Sequence, residues 1–106
     1  MSFVKVINHQ IEGNFWLGSC IRISVVLNVD LESGDTAKIT IEDPSDIEKV
    51  TQATMTEEAP KVYSYVYQSD EDDNDGIYTV TVEITKGDYT AVEQWTFELK
   101  NPDKDW

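Results

Sequence analysis

The sequence predicts an all-β protein, a two-sheet antiparallel sandwich of seven strands without a disulfide, and three observations carry that prediction. Apolar residues recur with a period of two in one run after another, the mark of a strand with one buried face. Gly, Pro, Asn and Asp separate the runs at short intervals, as turns between strands require. No run carries the pattern of a long helix, and the one cysteine, Cys20, has no second thiol in the chain to pair with.

Taken in order, Phe3 to Asn8 is a short first strand, followed by a loop at Glu12-Gly13-Asn14. Trp16 reads as a lid over one end of the core, and Gly18-Ser19 breaks the chain behind it. Ile21, Ile23, Val25, Leu27 and Val29 then alternate with a mostly polar row, which defines a strong second strand. Cys20 stands at its start and reads as a small buried or half-buried hydrophobe. After a turn at Glu32 to Asp35, Ala37, Ile39 and Ile41 face inward, and Asp43-Pro44 stops this third strand because proline has no amide proton for the ladder.

Residues 45–54 are ambiguous: Ile47, Val50 and Ala53 fit one helical face, but β-branched content favours a loop and a short edge strand over Val50 to Met55. Glu57-Glu58-Ala59-Pro60 reads as a turn. In the strand Val62 to Gln68, Tyr63, Tyr65 and Tyr67 share a face, expected inside with hydroxyls at the rim. The last two strands, between Asn74 and Leu99, meet at Lys86-Gly87-Asp88. Tyr78, Val80, Val82 and Ile84 form one inner row, and Tyr89, Ala91, Trp95, Phe97 and Leu99 the other, with Glu93 its one acid. A hairpin this apolar on one side needs a second sheet to cover it. Residues 1–100 form one domain and 101–106 a polar tail.

At 106 residues the chain can bury a core without staples. Its net charge of −13, from 21 acids against 8 bases, disfavours phosphate backbones and anionic membranes, so nucleic acid is not an expected partner. No run approaches the roughly 18 apolar residues of a membrane span, so membrane insertion is not expected either. The first ten residues lack the apolar core of a signal peptide, which predicts synthesis in the cytoplasm and arrival elsewhere by another route, such as assembly into a particle.

Asn74-Asp75-Gly76-Ile77-Tyr78-Thr79-Val80 resembles the immunoglobulin pattern Asp-x-Gly-x-Tyr-x-Cys, with Asn74 at the Asp position and Val80 at the Cys position. The resemblance implies that the Tyr78 hydroxyl returns to the backbone upstream and pins a corner. Valine in place of cysteine, with Val25 or Ile23 in the matching strand, implies a disulfide-free relative. A longer pattern joins Ile39 to Pro44, the alternating aromatic strand, Gly76-x-Tyr78-x-Val80-x-Val82 and a last strand ending Trp95-x-Phe97-x-Leu99. Over about Trp16 to Leu99 it resembles immunoglobulin-like modules of macroglobulin or bacterial-Ig type, found in prokaryotic surface proteins and in virion proteins of phages and archaeal viruses. Tyr78 and Trp95 are then structural residues.

The run Asp70 to Gly76 invites calcium, since hard cations want several carboxylate oxygens in one loop; Asp70, Asp72, Asp73 and Asp75 are the candidate ligands. Aligned as an EF-hand from Glu71, the loop places Val82 where the bidentate glutamate belongs, and a strand follows where a helix is needed, so a solvated inter-strand loop is the first reading. With His9 the one histidine and no Gly-x-Ser-x-Gly elbow, no histidine triad or histidine-bearing zinc cluster can be assembled. Glu93 reads as a bulge or edge residue. No cofactor is expected.

The expectation is therefore a non-enzymatic structural or interaction module, foremost a virion component such as a capsid decoration or tail accessory protein, with capsid or tail proteins as partners. The first rival is an adhesion or carbohydrate-binding domain of a larger surface protein, which would contact cell-surface components. The second is an acidic inhibitor that mimics nucleic acid. Unpaired edge strands are the expected contact surfaces.

Overall fold

The chain forms eight strands: β1 (Val6–Gly13), β2 (Cys20–Leu27), β3 (Thr36–Glu42), β4 (Glu48–Thr54), β5 (Thr56–Ala59), β6 (Val62–Gln68), β7 (Gly76–Lys86) and β8 (Tyr89–Leu99). They come from a computed structural model that describes residues 3–101. The tail read over 101–106 lies outside those residues except for Asn101. Two four-stranded antiparallel sheets result, in the orders β1-β2-β6-β5 and β4-β3-β7-β8. The described residues contain no helix, and so none long and apolar enough to cross a membrane.

The inner faces meet as their period of two demands. Ile21, Ile23, Val25 and Leu27 of β2 are fully buried, as are Tyr78, Val80, Val82 and Ile84 of β7. Removing each such aliphatic side chain from water contributes about 1.5–3 kcal/mol, which makes this facing pair of strands the centre of the core. Gly87 takes φ +57 at the first central position of the two-residue β7–β8 turn, the conformation a type II′ hairpin asks of glycine.

The structure corrects several expectations. There are eight strands because Thr56–Ala59, which overlaps the turn expected over Glu57 to Pro60, pairs with β6, and the chain reverses only at Pro60-Lys61. All four residues of β5 are exposed, so no buried row announced it. The first strand runs from Val6 through the expected loop to Gly13, because β2 offers a partner to its polar middle. The second ends at Leu27, two residues early, where Asn28 turns its side chain to the carbonyl of Phe3 and the amide of Lys5. Cys20 is exposed, since it shares the outer face with Arg22. Trp16 is 41% exposed, and its neighbour Leu17 is the buried residue. Tyr63 and Tyr67 are buried, but Tyr65 only half so.

Candidate functional site

Two features outside the core are built well enough to act: a pinned corner and a free sheet edge. The corner begins with Asp43. As β3 ends, its Oδ1 accepts the amides of Ser45 at 2.8 Å and Ile47 at 3.0 Å, closing a tight turn in which Asp46 adopts φ +65. Those backbone donors lead in holding its carboxyl below the usual 3.8. Its Oδ2 accepts the side-chain amide of Asn74 at 3.2 Å, which ties this turn to the loop before β7. The Tyr78 hydroxyl donates to the Asn74 carbonyl at 2.6 Å, and burial pushes that phenol up to about 12. Gly76 completes the corner at φ +131, where an added Cβ would lie 2.9 Å from Pro44 Cγ.

The acidic loop is tied to the strands around this corner through Asp73. Asp73 accepts from Lys49 Nζ at 2.9 Å, from the Tyr67 hydroxyl at 3.3 Å and from the Asp70 amide at 2.9 Å. Burial would raise the Asp73 carboxyl, but Lys49 and the Asp70 amide outweigh it and hold the carboxyl low. Asp70 accepts the amide of Asp72 at 2.9 Å. Asp72 is exposed and Asp75 half-buried. Among the described residues no three His, Cys, Asp or Glu converge as metal ligands would. Lys49, which organises the loop, carries no local signal in the sequence; it lies 24 positions before its partner.

The free edge is β8. It pairs with β7 through eleven consecutive residue pairs with no register shift, whereas the ladders involving β1, β4 and β5 each contain a bulge or irregularity. At its end, the Lys100 amide donates to the Phe15 carbonyl at 3.0 Å and the Lys100 carbonyl accepts from Leu17 at 2.8 Å. Lys100 thus turns its backbone away from β7. By strand alternation so do Thr90, Val92, Gln94, Thr96 and Glu98, and no described strand pairs with them. Glu93 is exposed on the inner-face row of this edge, opposite Val82, without a bulge; an inward-pointing charge discourages indiscriminate pairing. Trp95, half-buried on the same row, stacks on His9 of β1 with centroids 4.2 Å apart, and Phe97 stacks on Tyr78 at 5.4 Å. The His9–Trp95 pair bridges the two sheets where β1 meets β8, whereas Phe97 and Tyr78 are neighbours within one sheet.

The architecture defines the chain as an all-β two-sheet sandwich. No family model matches it, and a search of curated proteins finds no match.

Proposed function

We propose that the chain is a non-enzymatic interaction module on an immunoglobulin-like sandwich, and that it engages a structural protein of a virion by lending the edge of β8. Lettered in chain order as A, B, C, C′, D, E, F and G, the strands give sheets A-B-E-D and C′-C-F-G, which supports the immunoglobulin-like reading. The tyrosine corner at Tyr78 supports it independently, since its hydroxyl reaches the backbone four residues upstream. The chain's one histidine lies against Trp95 rather than beside a nucleophile, which favours a role in packing. The virion setting rests on the resemblance of the motifs from Ile39 to Leu99 to modules found in virion proteins.

The observation that carries the contact surface is the unbroken run of outward backbone groups from Thr90 to Glu98, which an extended partner segment would extend by main-chain hydrogen bonds. Proline at Gln94 removes a donor that β7 does not use, so it spares the ladder and blocks the added strand. In purified particles from the source the wild-type chain is expected at stoichiometric levels, with Gln94→Pro depleted although it melts like wild type. Absence of the wild-type chain overturns the virion setting, and full retention of the variant overturns the edge.

A further inference from the structure

At the end of the sandwich opposite the tyrosine corner, Met55 carries the chain from β4 in one sheet to β5 in the other, and a cleft of about 350 Å³ opens beside it. Leu31, Ala37, Met55 and the Tyr63 ring form the apolar half of its lining, and the other half is polar, with Glu32, Asp35 and Glu57 bringing carboxylates to it. Asp35 is occupied: it accepts from Lys86 Nζ at 3.2 Å and from the amides of Glu32 at 2.8 Å and Gly87 at 3.2 Å. Glu57 accepts only a long bond, 3.4 Å, from the Tyr63 hydroxyl, and neither Glu32 nor Glu57 forms an ion pair among the described residues. The Tyr63 phenol registers the resulting field, raised first by burial and then by the negative charges of Glu57, Asp30 and Asp35.

A half-apolar lining with uncompensated carboxylates fits a ligand that is greasy along its length and positive at its tip. Water alone would leave the half-buried Leu31 wet, and a bare metal ion would use none of the apolar wall. We propose that the cleft receives a lysine or arginine side chain of a protein partner, its alkyl stem on Leu31, Ala37 and Met55 and its cationic head between Glu32 and Glu57. The charge of −13 draws such a basic surface in. The source of the side chain rests on the interaction-module reading, but the chemistry of the cleft does not.

The test is an NMR titration of the whole chain with n-butylguanidinium, set against the neutral isostere N-butylurea. Saturable shifts at the amides of Ala37, Met55 and Tyr63 are expected for the cation near millimolar concentration, as suits so small a ligand. The urea should bind at least about tenfold more weakly, because it lacks the charge-assisted contact. Glu57→Gln and Glu32→Gln should each weaken the cation by about three- to fivefold, the range for a partly exposed ion pair, with melting unchanged. Equal binding of the two probes overturns the proposal, as do shifts spread evenly over the acidic surface, or calcium chloride reproducing the same shifts. Failure here leaves the particle assay with Gln94→Pro untouched, so the two readings fail separately.

Discussion

The two ends of the sandwich solve the same problem differently. At one end Asp43, Asn74, Gly76 and Tyr78 close the core with hydrogen bonds among two loops and a buried ring, and Lys49 fastens the acidic loop over it. At the other, Asp35, Lys86 and Gly87 tie a loop to the β7–β8 turn, but the crossing at Met55 leaves a cleft. Asp43 and Asp73 at the closed end are spent on backbone amides, an ammonium and a phenol, and Asp35 at the open end on two amides and an ammonium. Beside it, Glu57 accepts only the long bond from Tyr63, and neither Glu32 nor Glu57 forms an ion pair among the described residues. Acidic composition alone therefore says little about where a cation would settle; the donors around each carboxylate decide it.

Breaking the closed end should cost most. Gly76→Ala forces a side chain to adopt φ +131 against Pro44, and a loss of about 1–3 kcal/mol is expected in urea unfolding. Tyr78→Phe keeps the ring but strands the Asn74 carbonyl, and since Asn74 is exposed enough to recruit water, about 1 kcal/mol is expected. Acid sharpens the comparison further. Asp43 and Asp73 at the closed end and Asp35 at the open end all have lowered folded-state values, so their stabilisation is complete above the usual 3.8 and is lost as pH falls through those values. Lys49→Met should remove the lysine's part of the Asp73 share and make the loss of melting temperature below pH 4 shallower. In alkali the sign reverses: Tyr63, Tyr67 and Tyr78 are raised, so stability is held below pH 10 and lost above it, with Tyr78→Phe losing less. The smallest effect belongs to the open end, where Glu57→Gln should change stability by less than about 0.5 kcal/mol. A loss there as large as that of Tyr78→Phe would erase the distinction between the ends.

The corner was legible because its parts lie within a few residues: Gly76 and Tyr78 fall two apart, and the carbonyl that accepts from the Tyr78 hydroxyl belongs to Asn74. Asp43-Pro44 was legible as a stop, though not as a cap holding two amides and an asparagine. By contrast, β5 carries no buried residue, so nothing in TEEA distinguishes a strand from a turn until β6 lies beside it. Trp16 looked like the lid because it is the largest ring near the break, yet the segment from Phe15 to Leu17 meets Lys100 in a way that buries Leu17 instead. The acidic loop suggests calcium by composition, and nothing local in it shows that Lys49, on β4, pairs with one of its five carboxylates, Asp73.

Residue order alone settles which side chains turn inward along the strongly alternating strands β2, β3 and β7, because the period of two is local and burial enforces it. Which edge stays open, which carboxylates find donors and where the sheets part into a cleft are settled only when strands distant in the chain close on one another. Each of those features draws its groups from several elements at once, and no local pattern records where their neighbours will stop.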